Sequence, residues 1–182
     1  NILIGVAPYV TGAPEPGVFA NIKEVFSYVK SVEPYCTKVE SVSDVALRYD
    51  ESIQLYSDYP FRMAPSEFTG FHECLLDEHL QYDFVKGDED LSKYSLLILA
   101  DQRNISGDVV KNIAEYVKAG GNLLVTALTS LTKNDFAFSE VMGVHYKRRG
   151  HYDFAYMYLK DEMLAKNLPE VPLIITSPIE IE

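Results

Sequence analysis

Ser130 stands just beyond the apolar run Leu123-Leu124-Val125-Thr126-Ala127, where an emerging strand would hand a hydroxyl to solvent. A nucleophile on a sharp strand-to-helix turn needs small neighbours, as in Gly-x-Ser-x-Gly, so that the strained turn does not clash. The chain instead reads Leu128-Thr129-Ser130-Leu131-Thr132, with no glycine, no cysteine and no base nearby. No catalytic residue is assigned. His72 and His79 stand seven apart on one expected helix, two turns rather than the single turn of His-Glu-x-x-His, and His79 suits the helix end. His145 and His151 fall in a region of weak periodicity, so no metal site is expected. Cys36 and Cys74 lack Cys-x-x-Cys spacing, which excludes a thiol-rich zinc site and a disulfide framework. Cys74 reads as buried packing on an apolar helix face. Neither Gly-x-Gly-x-x-Gly nor Gly-x-x-x-x-Gly-Lys-[Ser/Thr] is present, so no nucleotide or other cofactor is expected. Paired carboxylates of the glycosidase kind cannot be argued from spacing, because such acids come from different strands.

Polar residues at the carboxyl ends of strands are the remaining candidates, since open α/β sheets bind ligands there. Those loops begin at Asp50, Lys86, Asp101 and Leu128. The most polar is Asp101-Gln102-Arg103-Asn104, and Thr129-Ser130 follows the neighbouring strand. Asp101, Gln102, Arg103, Thr129 and Ser130 are therefore the ligand or partner candidates. The other reading is that Asp101 and Asn104 satisfy loop backbone donors.

The elements that would position these residues follow from periodicity. Ile2–Ala7 reads as a strand, and Val18, Ile22, Val25, Phe26 and Val29 recur at helical spacing until Val32-Glu33-Pro34 ends the helix. Val45–Tyr49 is a short strand, and a tyrosine-rich irregular stretch runs through Pro60 and Pro65. Ser66 is a plausible cap for a helix over 66–79 with Phe68, Phe71, Cys74 and Leu75 inward. Tyr82–Val85 is the next strand. Ser95–Ala100 is apolar on both faces, as a central covered parallel strand should be. Ser106 caps a helix over 107–119 with Val109, Val110, Ile113, Ala114 and Val117 inward, closed by Gly120-Gly121. Leu123–Ala127 is a second buried strand. Short strand-helix-strand connections imply parallel crossovers. The fold class is α/β, a doubly wound, mainly parallel sheet flanked by helices, of flavodoxin-like form. Later, Ser139–Met142 reads as a short helix, Tyr152–Leu159 as extended and Leu173–Thr176 as a last strand.

Bulk properties set the limits. The chain has 182 residues, 47% hydrophobic, enough for one domain plus a short extra piece. A net charge of −11 disfavours nucleic acid, and the one basic cluster, Lys147-Arg148-Arg149 before Gly150, reads as a solvated turn. The longest apolar run, Leu96–Ala100, is too short for a membrane span. No signal peptide is legible, and cysteine usage leaves the compartment open. Asn1 stands where an initiator methionine would, directly before a strand, so a processed or excised chain is expected.

Several runs resemble one family in order. Gly70–Val85, with His79-Leu80-Gln81-Tyr82-Asp83, is similar to the helix and strand carrying His-x-x-[Phe/Tyr]-Asp in the trimerisation domain of bacterial β-galactosidases. Leu91–Ala100 resembles its Leu-x-x-Tyr-x-x-Leu-Ile-Leu strand, and Tyr116–Leu124 its Tyr-Val-x-x-Gly-Gly turn. Thr129-Ser130 and Asn134–Gly143 resemble the approach to its Phe-Gly-Val corner, here Met142-Gly143-Val144. The resemblance spans Val45–Gly143. Residues 1–41 look like the last strand and helix of a (β/α)₈ glycosidase barrel, leaving 42–182 as the amidotransferase-like domain. Glutamine amidotransferases place a cysteine after the strand that here ends at Ala127, with a late His-x-Glu; both are absent.

The resemblance implies a non-catalytic accessory and oligomerisation domain of a multidomain carbohydrate-active enzyme, a glycoside hydrolase. Its partners would be the catalytic barrel of the same parent chain and further copies of itself. The alternatives are a free-standing amidotransferase-like or α/β hydrolase enzyme with an unrecognised site, or a small-molecule binding module. Subunit contacts need aromatic anchors, and 13 tyrosines with 9 phenylalanines exceed what the expected core uses. Phe154 and Tyr156 are the interface candidates, with Tyr56, Tyr59, Phe61, Tyr146, Tyr152 and Tyr158 as further surplus rings.

Overall fold

Four short runs pair into one parallel sheet in the computed structural model: β1 (Val45–Arg48), β2 (Tyr82–Val85), β3 (Leu96–Leu99) and β4 (Asn122–Val125), in the order β2-β1-β3-β4. The structure describes residues 11–13, 15–49, 66–103, 105–166, 168, 170–176 and 178–182. The expected strand Ile2–Ala7 and the rings Tyr56, Tyr59 and Phe61 lie outside the described residues. Contacts divide the chain into two units, Asn1–Ser41 and Val42–Glu182.

Register explains how the sheet acquires two apolar faces. Val45 lies beside Tyr82 and Leu96, and Leu96 beside Asn122, so side chains two residues apart on each strand line up on one face across the sheet. One set, Ala46, Val85, Leu97 and Leu99, packs with Val109, Ile113 and Tyr116 of the helix Gly107–Lys118. The other set, Val45, Leu47, Ile98 and Ala100, packs with Phe68 and Leu75 of the helix Ser66–Asp77. The sheet is therefore α/β and covered on both faces, as a parallel sheet requires. In β1 and β3, Ala46, Leu47, Leu97 and Leu99 are fully buried, each large side chain contributing about 1.5–3 kcal/mol. Strand β4 differs from its expected burial: it alternates between exposed and half-buried residues, because among the described strands it pairs only with β3.

Helix α1 (Pro16–Cys36) belongs to the first unit. Glu15 caps it, its carboxylate accepting from the Val18 amide at 2.6 Å, and Pro16 occupies the first turn, where no amide is needed. The helix was expected to stop before Pro34 but runs on to Cys36, with Pro34 inside its final turn. There the missing proline donor costs one bond near a frayed end rather than in mid-helix. None of its residues is buried, and Phe19, Val25, Phe26 and Tyr28 of its expected inner face and flank are exposed.

Helix α2 (Ser66–Asp77) ends with His79 in the left-handed region, φ 56°, and the Leu80 amide donating to the Leu75 carbonyl at 2.9 Å. Cys74, expected to be buried, is exposed. At about 100° per residue, Phe68, Phe71 and Leu75 share a face that Cys74 falls well outside. Helix α3 (Gly107–Lys118) begins after Ser106, which occupies the cap position without a side-chain hydrogen bond. Its end uses both glycines. Gly120 takes φ 104°, and a Cβ on Gly121 would lie inside the ring of Tyr116, whose hydroxyl reaches the Tyr94 and Asn122 carbonyls at 3.1 and 3.2 Å.

Beyond the sheet, α4 (Ser139–Met142) leads to two antiparallel pairs. Strand β5 (Tyr146–Arg149) pairs with β8 (Ile179–Ile181), and β6 (Phe154–Met157) pairs with β7 (Leu173–Thr176), with α5 (Glu162–Ala165) between β6 and β7. Two expectations change here. The basic cluster is a strand, not a solvated turn, because it pairs with β8, which also brings Glu180 and Glu182 to Arg148 and Lys147. Leu173–Thr176 is not the last strand, since β8 follows it.

Candidate functional site

The carboxyl ends of β1, β3 and β4 converge on Arg48 and Gln102, both 2% exposed. The Arg48 Nε donates to the Lys86 carbonyl at 2.7 Å, and its Nη1 donates to the Gln102 amide oxygen. The Gln102 amide nitrogen donates to the Arg48 carbonyl in return. An arginine is buried at low cost only when its donors are met in this way. The Gln102 amide donates to Thr129 Oγ1 at 3.2 Å, and the Thr129 hydroxyl faces the Thr126 carbonyl at 2.8 Å. The Ser130 amide donates to the Gln102 carbonyl at 2.7 Å. These contacts tie the loops after β3 and β4 into one block.

Asp101 supplies the second tie. Its carboxylate accepts from the Leu128 amide at 3.0 Å, and its own amide donates to Thr126 Oγ1 at 3.1 Å. Burial raises the Asp101 carboxyl above its ordinary range, with the Leu128 amide and Arg103 opposing. Asp101, Ala127 and Ser130 all hold positive φ, at 46°, 45° and 61°. Such angles cost non-glycine residues about 1–3 kcal/mol each and persist only where neighbours over-determine them.

The five candidates from the sequence thus part company. Gln102, Thr129 and Ser130 are internal, the last two 1% exposed, and the Ser130 hydroxyl finds no hydrogen-bond partner among the described residues. Asp101 is half-buried. Arg103 alone reaches outward, its side chain 58% exposed and 3.8 Å from the Asp101 carboxylate. It lines a cavity of about 270 Å³ with Leu128, Leu131, Tyr146, Arg149 and Ile179. Phe154 and Tyr156 stand on β6, 65% and 68% exposed.

Arg48, Tyr146 and Arg149 were not singled out from the sequence for this region. A signal existed for Arg48, a charge ending the buried run Val45-Ala46-Leu47. None existed for the other two, whose placement depends on the β5–β8 pairing.

Asp135 joins the start of β5 to the loop before α4. Its carboxylate accepts from the Phe136 and Tyr146 amides at 2.7 and 2.8 Å and meets His145 Nδ1 at 2.6 Å. The His145 contact, then the Tyr146 amide, lowers Asp135 from 3.8 to about 2. Asp135 in turn raises His145 above 6.5, with lesser help from Glu182 and Glu140. The Asp135 contribution to stability is full above about pH 3.8 and lost as pH falls through about 2. The His145 contribution is full below pH 6.5 and lost as pH rises through its raised value. Urea midpoints of the wild-type chain should therefore decline from pH 6 to 8 by a component missing from His145→Gln. Equal declines in both would disprove the linkage.

Comparison with known proteins places this geometry. Residues 40–143 match the family model of the β-galactosidase trimerisation domain, more than half of the chain. The chain belongs to that family. Solved structures share the fold of this trimerisation domain. The α-L-fucosidase isoenzyme 2 of Paenibacillus thiaminolyticus is 21% identical with a TM-score of 0.68, over 96% of this chain and 26% of that one. A β-galactosidase from Rahnella sp. R3 is 16% identical with a TM-score of 0.70, over 94% and 28%. A β-galactosidase from Bacillus circulans sp. alkalophilus is 18% identical with a TM-score of 0.58, over 83% and 24%. The chain thus spans about a quarter of the length of these enzymes. No curated protein sequence matches it.

Proposed function

We propose that this trimerisation domain acts without catalysis, joining subunits of a multidomain glycoside hydrolase of the β-galactosidase kind. On this reading residues 1–41 are the tail of that enzyme's catalytic barrel and 42–182 the accessory domain. The observation that carries it is the outer face of the β6–β7 pair. Tyr156 lies directly opposite Ile174 and Phe154 opposite Thr176, and Phe154, Tyr156 and Ile174 are each about two-thirds exposed. Desolvating such a face is what a subunit contact requires.

The strand ends support the non-catalytic part. The turn after β4 holds Ala127, a methyl group, at φ 45°, and the Ser130 hydroxyl is buried where no substrate reaches it. The exposed apolar residues of α1, among them Phe19, Val25 and Phe26, agree with a helix that normally packs on a barrel. The expected result is that the purified chain turns over neither glutamine nor aryl glycosides, while the full-length enzyme sediments as an oligomer. Turnover by the chain that one substitution within it abolishes, or a full-length enzyme that is monomeric throughout, would overturn the reading.

A further inference from the structure

The cavity beside Arg103 joins four separate pieces of chain: the loop after β3, the loop after β4, strand β5 and strand β8. Its charge is unusual for this molecule. The chain carries a net charge of −11, yet two arginines line one small space. Between β5 and β8, Lys147 pairs with Glu182 at 3.7 Å and Arg148 with Glu180 at 2.8 Å. Arg149, opposite Ile179 in the register, pairs with no carboxylate among the described residues. Among the described residues Arg103 has only the long 3.8 Å approach to Asp101 as an ion pair, and that carboxylate also serves the Leu128 amide. Tyr146 lends its ring, packed edge-on against Phe136 at 5.8 Å, and its hydroxyl meets no partner among the described residues. Leu128, Leu131 and Ile179 complete the wall.

We propose that this cavity binds a small carboxylate with an apolar body, Arg103 and Arg149 engaging the carboxylate and the leucine and isoleucine side chains covering the rest. Guanidinium groups match a carboxylate in plane and by paired donors, which a single ammonium cannot do. The apolar wall favours an organic acid over a fully hydrated inorganic anion. The size, near the lower end of ligand cavities, suits one ring or a short chain. The frame is preformed, since Asp101 and Gln102 lock the two loops and Asp135 holds the start of β5 to the loop before α4. The proposal is independent of subunit assembly.

The test is titration of the full chain with benzoate, its neutral isostere benzamide, and inorganic phosphate, followed by the amide and arginine Nε–H resonances. Benzoate should saturate at about 1 mM and shift the signals of Arg103, Arg149 and Tyr146. Benzamide should bind at least about tenfold more weakly, and Arg149→Gln and Arg103→Gln should each cost about tenfold in benzoate affinity. Both arginines are exposed enough for the variants to fold, which circular dichroism would verify. Equal binding of benzoate and benzamide, or arginine variants with unchanged affinity, would overturn the proposal. So would the absence of saturation by about 20 mM. Phosphate binding at these residues more tightly than benzoate would refute the carboxylate assignment.

Discussion

Gln102→Leu should lower the stability of the chain by about 3 kcal/mol, read as a shift of the urea midpoint at unchanged slope. Leucine matches the volume but removes the oxygen that accepts from the Arg48 Nη1 and the nitrogen that donates to the Arg48 carbonyl. Both residues are 2% exposed, so water does not replace what is lost. Breaking a buried charged contact from one side leaves the charge under-solvated, which is why the loss exceeds that of an ordinary hydrogen bond. For a unit of this size the same change corresponds to a melting shift of about 6–12 °C. The neighbouring Arg103→Gln should stay within about 0.5 kcal/mol, because that side chain is 58% exposed and its ion pair is long. Equal effects at the two positions would mean that the Arg48–Gln102 pair does not organise the strand ends.

The double substitution Phe154→Ser with Tyr156→Ser should dissociate the full-length protein while leaving its far-ultraviolet spectrum intact. An isolated two-stranded pair is marginal in water, and β6–β7 nevertheless presents Phe154, Tyr156 and Ile174 outward on one face. Aromatic anchors in the desolvated centre of an interface cost about 2 kcal/mol or more each when truncated. Two of them amount to about a thousandfold in the dissociation constant. Sedimentation at low protein concentration should then find the wild type assembled and the variant monomeric. If both run as the same oligomer, these rings do not hold subunits together and another surface must.

The linear chain by itself determined the parallel core. Leu96–Leu99 is apolar on both faces, and only a strand buried between two helical layers suits that pattern. The stop of α3 was equally legible, because Gly120-Gly121 is the usual left-handed end of a helix, and Gly120 takes φ 104°; the ring of Tyr116 against Gly121 was not. These signals are local: each reports a residue's preference for a backbone angle or for one side of an element. The exposure of Cys74 was legible too, had the helical angle been weighed above the mere run of apolar neighbours. What only the tertiary structure decided depends on pairings between distant segments. Whether Gln102 is a ligand group or an internal brace turns on Arg48, fifty-four positions earlier in the chain. Whether Lys147-Arg148-Arg149 is a solvated turn or a strand turns on β8, which pairs with it and brings Glu180 and Glu182 alongside. A side chain's chemistry is set by the groups that solvate or neutralise it, and in this fold those groups arrive from elsewhere in the sequence.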